Sequence, residues 1–305
     1  MRKQTICLFA QIISLILVSN SSQSHLPTCS RIHYSRKGMN KMTEGRAWQG
    51  VISFPLEGRK IKPRTSGLTM VMDKGLGLAA TKELLETSGN YIDYIKFGFG
   101  TSALLKEELL QQKIALIKSH GIYVYPGGTF LEIAYLQGRI RQYLQYAQEI
   151  GFNCIEVSDG TVTIDNQHRQ ELIMAAQAAG FTVITEVGKK NPLDQLANSL
   201  LIQQIQKDLS LGVSKVILEG RETGKGIGLY DQDGSLKKDD LSEFLRELAN
   251  PERIIWEAPL KNQQQDFIGR LGPNVNLGNI PPSEVIPLEA LRVGLRGDTL
   301  RFILS

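Results

Sequence analysis

Short apolar runs that end in charged residues or glycine recur along this chain from about residue 67 onward. A buried charge is costly unless it is paired or bound to a ligand, so run ends of this kind point to one shared polar pocket. Eight β-strands are predicted within the runs Leu68–Lys74, Tyr91–Lys96, Ile122–Gly128, Cys154–Asp159, Thr182–Lys190, Val216–Glu222, Ile254–Glu257 and Val275–Asn279.

Between these runs the apolar residues have helical spacing, and most of the helical stretches stop at a glycine. Repetition of strand, helix, glycine and strand indicates parallel strands joined by crossover helices. Eight such units, with no GxGxxG after the first run, favour a closed (β/α)8 TIM barrel over an open doubly wound sheet. The predicted helices are 78–88, 102–120 with Ser102 as its N-cap, 132–150, 168–179 and 196–211.

Length and composition fit one barrel domain. The chain has 305 residues, 42% of them hydrophobic, and a formal net charge of +4. It has no basic stripe with interleaved aromatic residues, so we expect no nucleic-acid partner. Three cysteines without a CxxC pair and four scattered histidines argue against a disulfide framework and a zinc site. We predict an N-terminal extension over 1–60 and a single catalytic barrel over 61–305, assembled as a homo-oligomer.

The start of the chain has a different character. Arg2-Lys3 precedes an apolar run over Ile6–Val18 and a small polar segment over Ser19–Ser24, a pattern typical of a secretory signal peptide. The alternative is that translation begins at Met39 or Met42. The apolar run is too short for a transmembrane helix, so we expect no stable membrane insertion. A core without a disulfide framework predicts a cytoplasmic protein, unless this N-terminal segment is a signal for export or for an organelle.

Three glutamates, Glu156, Glu186 and Glu219, stand near the ends of predicted strands four to six. Carboxylates from adjacent strands suit a hard cation, with water and substrate oxygens completing a Mg²⁺ octahedron. The other interpretation is salt bridging to the lysines and arginines nearby, but three unrelated buried glutamates would be costly. We therefore predict a Mg²⁺ site, with Asp73 as a further candidate ligand.

Cationic side chains at the same strand ends predict an anionic substrate. Lys96 follows Tyr94 at strand period, so it points toward the pocket if that face lines the barrel. Lys189 and Lys190 extend the fifth strand, and we expect one of the two to point away. Arg221 opens a glycine-rich loop that is either a lid or an ordinary flexible loop.

Further candidates would bind substrate anions through loops. A glycine pair at a helix N-terminus presents backbone amides to phosphate, although it is also a simple turn. The loops after strands seven and eight are a common phosphate position in such barrels. The predicted substrate-binding residues are Lys74, Gly127, Gly128, Asn276, Gly278, Asn279 and Arg296.

Ten motifs follow one another between about residues 64 and 300. They are Asp73-Lys-Gly-Leu-Gly77, Tyr91-Ile-Asp-Tyr-Ile-Lys-Phe-Gly98, Gly100-Thr-Ser102, Pro126-Gly-Gly-Thr129, Glu156-Val-Ser-Asp-Gly160, Glu186-Val-Gly-Lys-Lys190, Glu219-Gly-Arg-Glu222, Glu257-Ala-Pro259, Val275-Asn-Leu-Gly-Asn-Ile280 and Gly294-Leu-Arg-Gly-Asp-Thr299. Each motif alone is weak, but the ordered set resembles the phosphosulfolactate synthase family.

The resemblance implies a Mg²⁺-dependent barrel that adds sulfite to phosphoenolpyruvate and gives (2R)-3-sulfolactate 2-phosphate, a step toward coenzyme M in methanogens. On this basis the three glutamates would hold Mg²⁺ against an enediolate, and Lys190 would protonate C2. A cation-rich, partly desolvated setting is expected to make the Lys190 proton more available. Lys96, Lys189 and Arg221 would hold the sulfite and phosphate anions.

Two alternatives stay open. A plant heat-stress relative shares this fold family but diverges at the Asp73-Lys-Gly and Gly188-Lys-Lys positions, both of which this chain keeps. Keeping both favours the enzyme, and one alternative is a non-catalytic, stress-associated barrel. The other is a barrel aldolase or lyase on another phosphorylated acid, with Lys96 or Lys190 forming a Schiff base.

Overall fold

The computed structural model describes residues 46–304. A compact unit begins at Gly50, and the signal-like segment and the two internal methionine starts lie outside the described residues. Within the described part of the chain, no helix is both long and apolar enough to span a bilayer.

Eight parallel strands form the barrel, which confirms the predicted (β/α)8 fold. Their order around the sheet is β3-β2-β1-β8-β7-β6-β5-β4. Where β3 and β4 meet, the Val124 N–H donates to Asn153 Oδ1 at 2.8 Å. The strands are β1 Thr69–Asp73, β2 Tyr94–Phe97, β3 Tyr123–Tyr125, β4 Cys154–Val157, β5 Thr182–Val187, β6 Lys215–Leu218, β7 Ile254–Glu257 and β8 Leu277–Ile280.

Helices follow the strands on the outside of the barrel, and three of the five predicted helices match closely. They are α1 Leu78–Ser88, α2 Glu107–Ser119, α3 Gly128–Leu136, α4 Ile140–Ile150, α5 Asn166–Ala178, α6 Asn198–Ser210, α7 Lys238–Glu247, α8 Lys261–Leu271, α9 Val285–Arg292 and α10 Gly297–Leu300.

Two helix predictions were wrong in detail. Ser102 does not cap a helix, since α2 begins at Glu107 and the Ser102 hydroxyl is buried with no hydrogen-bond partner. The segment 132–150 is two helices, α3 and α4, and Gly138 between them has a φ of 62°. A residue with positive φ cannot continue a right-handed helix, so the chain turns there.

Strand alternation stacks a polar layer on an apolar one inside the barrel. One buried cluster is Leu68, Met70, Tyr94, Tyr125, Cys154, Ile184, Ile217 and Ile255. Successive side chains of a strand point to opposite faces, so a residue two positions beyond an interior one also points inward. The residues two positions beyond five members of this cluster therefore form the next layer, at the C-terminal ends of their strands. They are Lys96, Glu156, Glu186, Glu219 and Glu257.

Polar side chains close the opposite end of the barrel, and Asn276 is one of them. Its Oδ1 accepts the Leu68 N–H at 3.0 Å, and its Nδ2 donates to the carbonyls of Glu252 and Ile254 at 2.9 and 2.8 Å. These partners stand at or before the first residues of strands. The structure therefore does not bring Asn276 to the other predicted site residues, because its amide links strand starts on the side away from the polar layer.

Candidate active site

Four buried glutamates and two lysines form one cluster at the C-terminal ends of β2 and β4–β7. The Lys96 ammonium lies 3.1 Å from Glu156, 3.0 Å from Glu186 and 3.7 Å from Glu257. The Lys190 ammonium contacts both Glu186 and Glu219. Each of the four glutamates is at most 4% exposed. The structure thus brings together the three predicted glutamates and two of the predicted lysines.

Glu257, at the end of β7, is a member of this cluster that sequence reasoning did not assign. Its Oε1 lies 3.7 Å from Lys96, and its Oε2 accepts the Gly220 N–H at 3.0 Å. The signal was present, since Glu257 ends an apolar run in the same way as the other three glutamates. It follows Ile255 at strand period just as Glu219 follows Ile217.

Carboxylates outnumber cations in the cluster, and this imbalance appears in their pKa values. Burial raises the pKa of Glu156 to about 7, although the positive charge of Lys96 acts to lower it. Burial and the negative charges of Glu186 and Glu257 raise the pKa of Glu219 well above its usual range. Burial also acts to raise the pKa of Glu186, but Lys190 and Lys96 outweigh it and hold that pKa well below the usual range. The neighbouring carboxylates therefore differ in how readily each one ionises.

The same contacts reverse the expectation for Lys190. Burial acts to lower the pKa of Lys190, but Glu186 and Glu219 outweigh it and raise that pKa above the usual lysine value. Its proton is therefore held more tightly, and the sequence-based expectation of a more available proton was wrong for this arrangement. Lys96 behaves alike: burial opposes its charge, while Glu156, Glu186 and Glu257 raise its pKa well above the usual value.

Lys189 points away from the glutamates, as expected for one member of the lysine pair. Its ammonium donates to Asp159 Oδ2 at 2.7 Å and to the Asp159 carbonyl at 2.6 Å. Asp159 also accepts from Arg169 Nη1 at 3.0 Å. Lys189 is thus bound in a neighbouring network rather than in the cluster.

Asp73 also lies outside the cluster. Its Oδ1 accepts the N–H groups of Gly75 and Leu76 at 2.7 Å each, and its Oδ2 accepts the Lys113 ammonium at 2.7 Å. Asp73 shares the helix-facing side of β1 with Val71, and Lys113 belongs to α2. The structure therefore does not bring Asp73 together with the three predicted glutamates, because its oxygens face α2.

The glycine pair after β3 shapes the cluster through its backbone. The Gly128 N–H donates to Glu156 Oε1 at 2.7 Å, so this amide holds a carboxylate rather than an open phosphate site. A Cβ at Gly128 would meet Glu156 Oε1 and Ser158 Oγ at 2.4 Å each. Gly127 has a φ of 82°, and a Cβ there would lie 3.1 Å from the Phe97 carbonyl. Both positions therefore require glycine for a close approach.

The end of β8 presents a polar atom that lacks a partner. Asn279 is 4% exposed with a φ of 54°, and its Oδ1 is buried without a hydrogen-bond partner. The register with β1 shifts here, since Thr69 pairs with Leu277 and Val71 with Ile280. Gly278 instead lies in the barrel interior, where a Cβ would meet Met70 Cε at 2.4 Å. Asn279 therefore remains a candidate for substrate binding, whereas Gly278 leaves room for Met70.

The remaining predicted cations lie on exposed loops. Lys74 forms an ion pair with Glu222, which joins the loop after β1 to the loop after β6. Arg221 has a φ of 60° and an exposed side chain, and its N–H donates to Glu219 Oε1 at 2.6 Å. Arg296 lies 3.5 Å from Asp298.

Glu132 of α3 is a second residue that sequence reasoning missed. Its carboxylate is buried and accepts the Ser158 hydroxyl and the N–H groups of Gly160, Thr161 and Val162. These bonds hold the loop that follows Glu156. Nothing in the helical spacing around Glu132 reveals this, because its partners belong to another loop.

A cavity of about 530 Å³ lies outside the glutamate cluster, among α2, α3 and α4. Its walls are largely apolar and include Leu105, Leu110, Phe130, Ile133 and Phe152. None of the predicted site residues lines it. We therefore place the candidate active site at the charged cluster, where the reactive groups converge.

The donor set of the cluster fits Mg²⁺ in its chemistry. If all are ionised, four carboxylates and two ammonium groups leave two negative charges, which one divalent cation would balance. Glu156 Oε2 is buried and makes no hydrogen bond, and its ionic contact is the Lys96 ammonium at 3.1 Å. In the described residues, no three His, Cys, Asp or Glu side chains already converge as a metal site. Lys96 lies near three of the carboxylates and Lys190 contacts two. A bound cation would therefore replace contacts that the lysines now make.

Comparison with known proteins gives the family. A family model described as (2R)-phospho-3-sulfolactate synthase (ComA) matches residues 57–298. The phosphosulfolactate synthase of Methanothermobacter thermautotrophicus is 45% identical over 244 residues, covering 79% of this chain and 94% of that protein. The one from Methanocaldococcus jannaschii is 46% identical over 235 residues, covering 76% and 93%. Protein HEAT-STRESS-ASSOCIATED 32 of Arabidopsis thaliana is 23% identical over 278 residues, covering 82% and 93%.

The chain folds into an eight-stranded parallel barrel with this charged cluster at its strand ends, and it is similar to known synthases. It is therefore a TIM-barrel enzyme of the lyase type. The family match covers most of the barrel. The chain belongs to the phosphosulfolactate synthase family.

Proposed function

We propose that this enzyme adds sulfite to C3 of phosphoenolpyruvate and yields (2R)-3-sulfolactate 2-phosphate, with Mg²⁺ as cofactor. The observation that carries the proposal is the cluster of four glutamates and two lysines at the strand ends, in a chain 45–46% identical to named phosphosulfolactate synthases. Family membership supports this reaction, and the cluster contains the kinds of group that it would use.

The reaction forms one C–S bond and one C–H bond. The sulfur lone pair of sulfite attacks C3, and the C2–C3 π pair moves toward the carboxylate to give an enediolate. C2 then takes a proton, for which we propose the Lys190 ammonium as the donor and solvent as the source that restores it. Because Glu186 and Glu219 hold this proton tightly, its release requires that these carboxylates become engaged elsewhere.

Glu156, Glu186 and Glu219 would hold Mg²⁺, with Glu257 beside them as a further oxygen donor. When bound, Mg²⁺ supplies positive charge that stabilises the enediolate oxygens. Lys96, freed from Glu156 and Glu186, would face the substrate anions. Arg221 and Lys74 at the loops, and Asn279 and Arg296 after β8, are the proposed contacts to sulfite and phosphate.

The test is an assay with phosphoenolpyruvate, sulfite and Mg²⁺ in which the product is identified by mass. We expect turnover to stop in excess chelator and to return when Mg²⁺ is added. Full activity in excess chelator would overturn the cofactor assignment. No sulfonated product under any divalent cation would overturn the reaction itself.

A non-catalytic barrel is the second candidate, favoured by the 23% match to the heat-stress protein. It predicts that Mg²⁺ and phosphoenolpyruvate do not bind, which calorimetry would measure. A Schiff-base aldolase loses support, since Lys96 and Lys190 have raised pKa values and a Schiff base needs the neutral amine. Borohydride should therefore trap no substrate on either lysine.

We also propose that the enzyme is cytoplasmic and a homo-oligomer. The chain has three cysteines and no CxxC pair, which suits a reducing compartment and supports the cytoplasmic location. Light scattering on the purified enzyme would test the second.

A further inference from the structure

Arg169 of α5 lies behind the C-terminal end of β5 and joins three elements. It is 2% exposed. Its Nε and Nη2 donate to Asp208 of α6 at 3.1 and 2.6 Å, Nη1 donates to Asp159 at 3.0 Å, and Nη2 donates to the Glu186 carbonyl at 3.0 Å. This guanidinium therefore holds Asp159 at a set distance from the strand that carries Glu186.

Asp159 in turn binds Lys189. The Lys189 ammonium contacts both the carboxylate and the carbonyl of Asp159, while the Lys190 N–H donates to the Gly160 carbonyl at 3.0 Å. Both lysines thus bind the loop after β4, but Lys189 does so through its side chain and Lys190 through its backbone N–H. The Lys190 side chain is left to turn toward Glu186 and Glu219.

The electrostatics explain why such a clamp is needed. The glutamate cluster carries more carboxylates than ammonium groups, so it attracts any free cation within reach. Lys189 and Lys190 are identical side chains one residue apart. Without a competing carboxylate, nothing in their chemistry decides which of them enters the cluster.

We propose that Asp159, anchored by Arg169, is a positioning residue that keeps Lys189 out of the glutamate cluster and so leaves Lys190 as the lysine that enters it. The inference rests on the proposed function for its kinetic consequence, though not for its structural one. Asp159 touches neither the glutamates nor the reacting atoms, and it acts through Lys189.

The first test is structural and needs no activity. In a crystal structure of Asp159→Asn, we expect the Lys189 ammonium to leave residue 159 and to lie within hydrogen-bond distance of Glu186 or Glu219. The matched control is Asp208→Asn, which removes the other carboxylate of Arg169 and should leave Lys189 on Asp159. A Lys189 that stays on residue 159 in the first variant, or turns to solvent, overturns the proposal.

The second test is kinetic and separates positioning from a structural role. We expect Asp159→Asn to lower kcat about tenfold or more, because misplacement of about 1 Å at a reacting group can cost about a hundredfold. Adding Lys189→Met to Asp159→Asn should restore most of that loss, since no second lysine is left to intrude. A double variant no more active than the single one overturns the proposal.

The two tests also distinguish this idea from the reaction on which it rests. If the wild-type enzyme forms no sulfonated product, the proposed function fails, whereas the position of Lys189 in the two crystal structures still decides the inference. If Asp159→Asn proves too unstable to crystallise, Asp159→Glu keeps the charge on a longer side chain. It should keep Lys189 outside the cluster, and a Lys189 found among the glutamates there would overturn the proposal.

Discussion

Lys190 donates to carboxylates from two neighbouring strands, and this double contact governs what its proton can do. Both glutamates favour the ammonium form and outweigh the effect of burial. A general acid works best when its pKa is near the working pH. Lys190 is therefore a strong counterion in this arrangement and becomes an acid only when Glu186 and Glu219 turn to another cation.

Replacement of Lys190 separates its charge from its proton. We expect Lys190→Met to lower kcat about a hundredfold or more, the usual scale for a lost general acid. Lys190→Arg keeps a positive charge but cannot give up its proton near neutral pH, so it should be equally slow. Steady-state kinetics of both variants, with their unfolding midpoints as a control, would check this. An arginine variant with near wild-type kcat would assign Lys190 to charge balance alone.

The cation requirement can be measured without turnover. We expect calorimetry to show Mg²⁺ binding that is lost or weakened in Glu156→Gln, Glu186→Gln and Glu219→Gln. Each substitution replaces a negatively charged carboxylate ligand with a neutral amide. Glu222→Gln changes an exposed glutamate that pairs with Lys74 and is the matched control. Unchanged Mg²⁺ affinity in all three cluster variants would mean that the cation binds elsewhere.

At the scale of elements, the start of α3 and the end of β4 are built as one unit. The Gly128 N–H binds Glu156, and Glu132 one helical turn later binds the loop that follows it. The helix therefore fixes both the orientation of a cluster carboxylate and the path of the loop carrying Asp159. Such supporting contacts hold reactive groups within the narrow tolerance that catalysis needs.

Gly128→Ala tests this unit. The added Cβ would meet Glu156 Oε1 and Ser158 Oγ at 2.4 Å, so we expect it to displace Glu156 and to lower kcat about tenfold or more. Gly297→Ala is the control, since a Cβ there meets nothing within 4 Å. Kinetics and thermal unfolding of both variants would check the result. Equal activity in the two would show that the Glu156 orientation does not matter.

Across the whole molecule, the two ends of the barrel use polar groups for different purposes. The C-terminal end gathers charges that are only partly compensated. At the other end, the Lys215 ammonium donates to the carbonyls of Thr65 and Glu252 at 2.7 and 3.1 Å, near the amide of Asn276. These contacts satisfy buried backbone groups, so the polar side chains at that end serve stability rather than chemistry.

The pH dependence of unfolding should reveal Lys215. Burial and Arg253 lower its pKa from 10.5 to about 8. Between these two values the unfolded chain binds more protons than the folded one, so this residue makes stability rise with pH from about 8 to 10.5. We expect Lys215→Met to remove that rise. Denaturant unfolding of both proteins at pH 7.5 and at about 10 would measure it, and an identical pH slope in the two would contradict the assignment.

Local pattern alone determined much of this protein. Eight apolar runs and the helices between them predicted the barrel. The positions of Glu156, Glu186 and Glu219 at the ends of adjacent strands, and the strand period before Lys96, predicted one shared pocket. These are properties of neighbours in the chain, because alternation and helical spacing need no knowledge of distant residues. The same rule applied to Glu257 would have completed the set.

Tertiary structure decided what depends on partners far along the chain. Asp73 faces Lys113, 40 residues away, Asn276 binds strand starts, and Asp159 binds the Lys189 ammonium. The direction of the Lys190 pKa shift also emerged only when Glu219, 29 residues on, was placed beside it. Charge–charge energies depend on distance in space and on burial, and neither can be read from residue order until the barrel has closed.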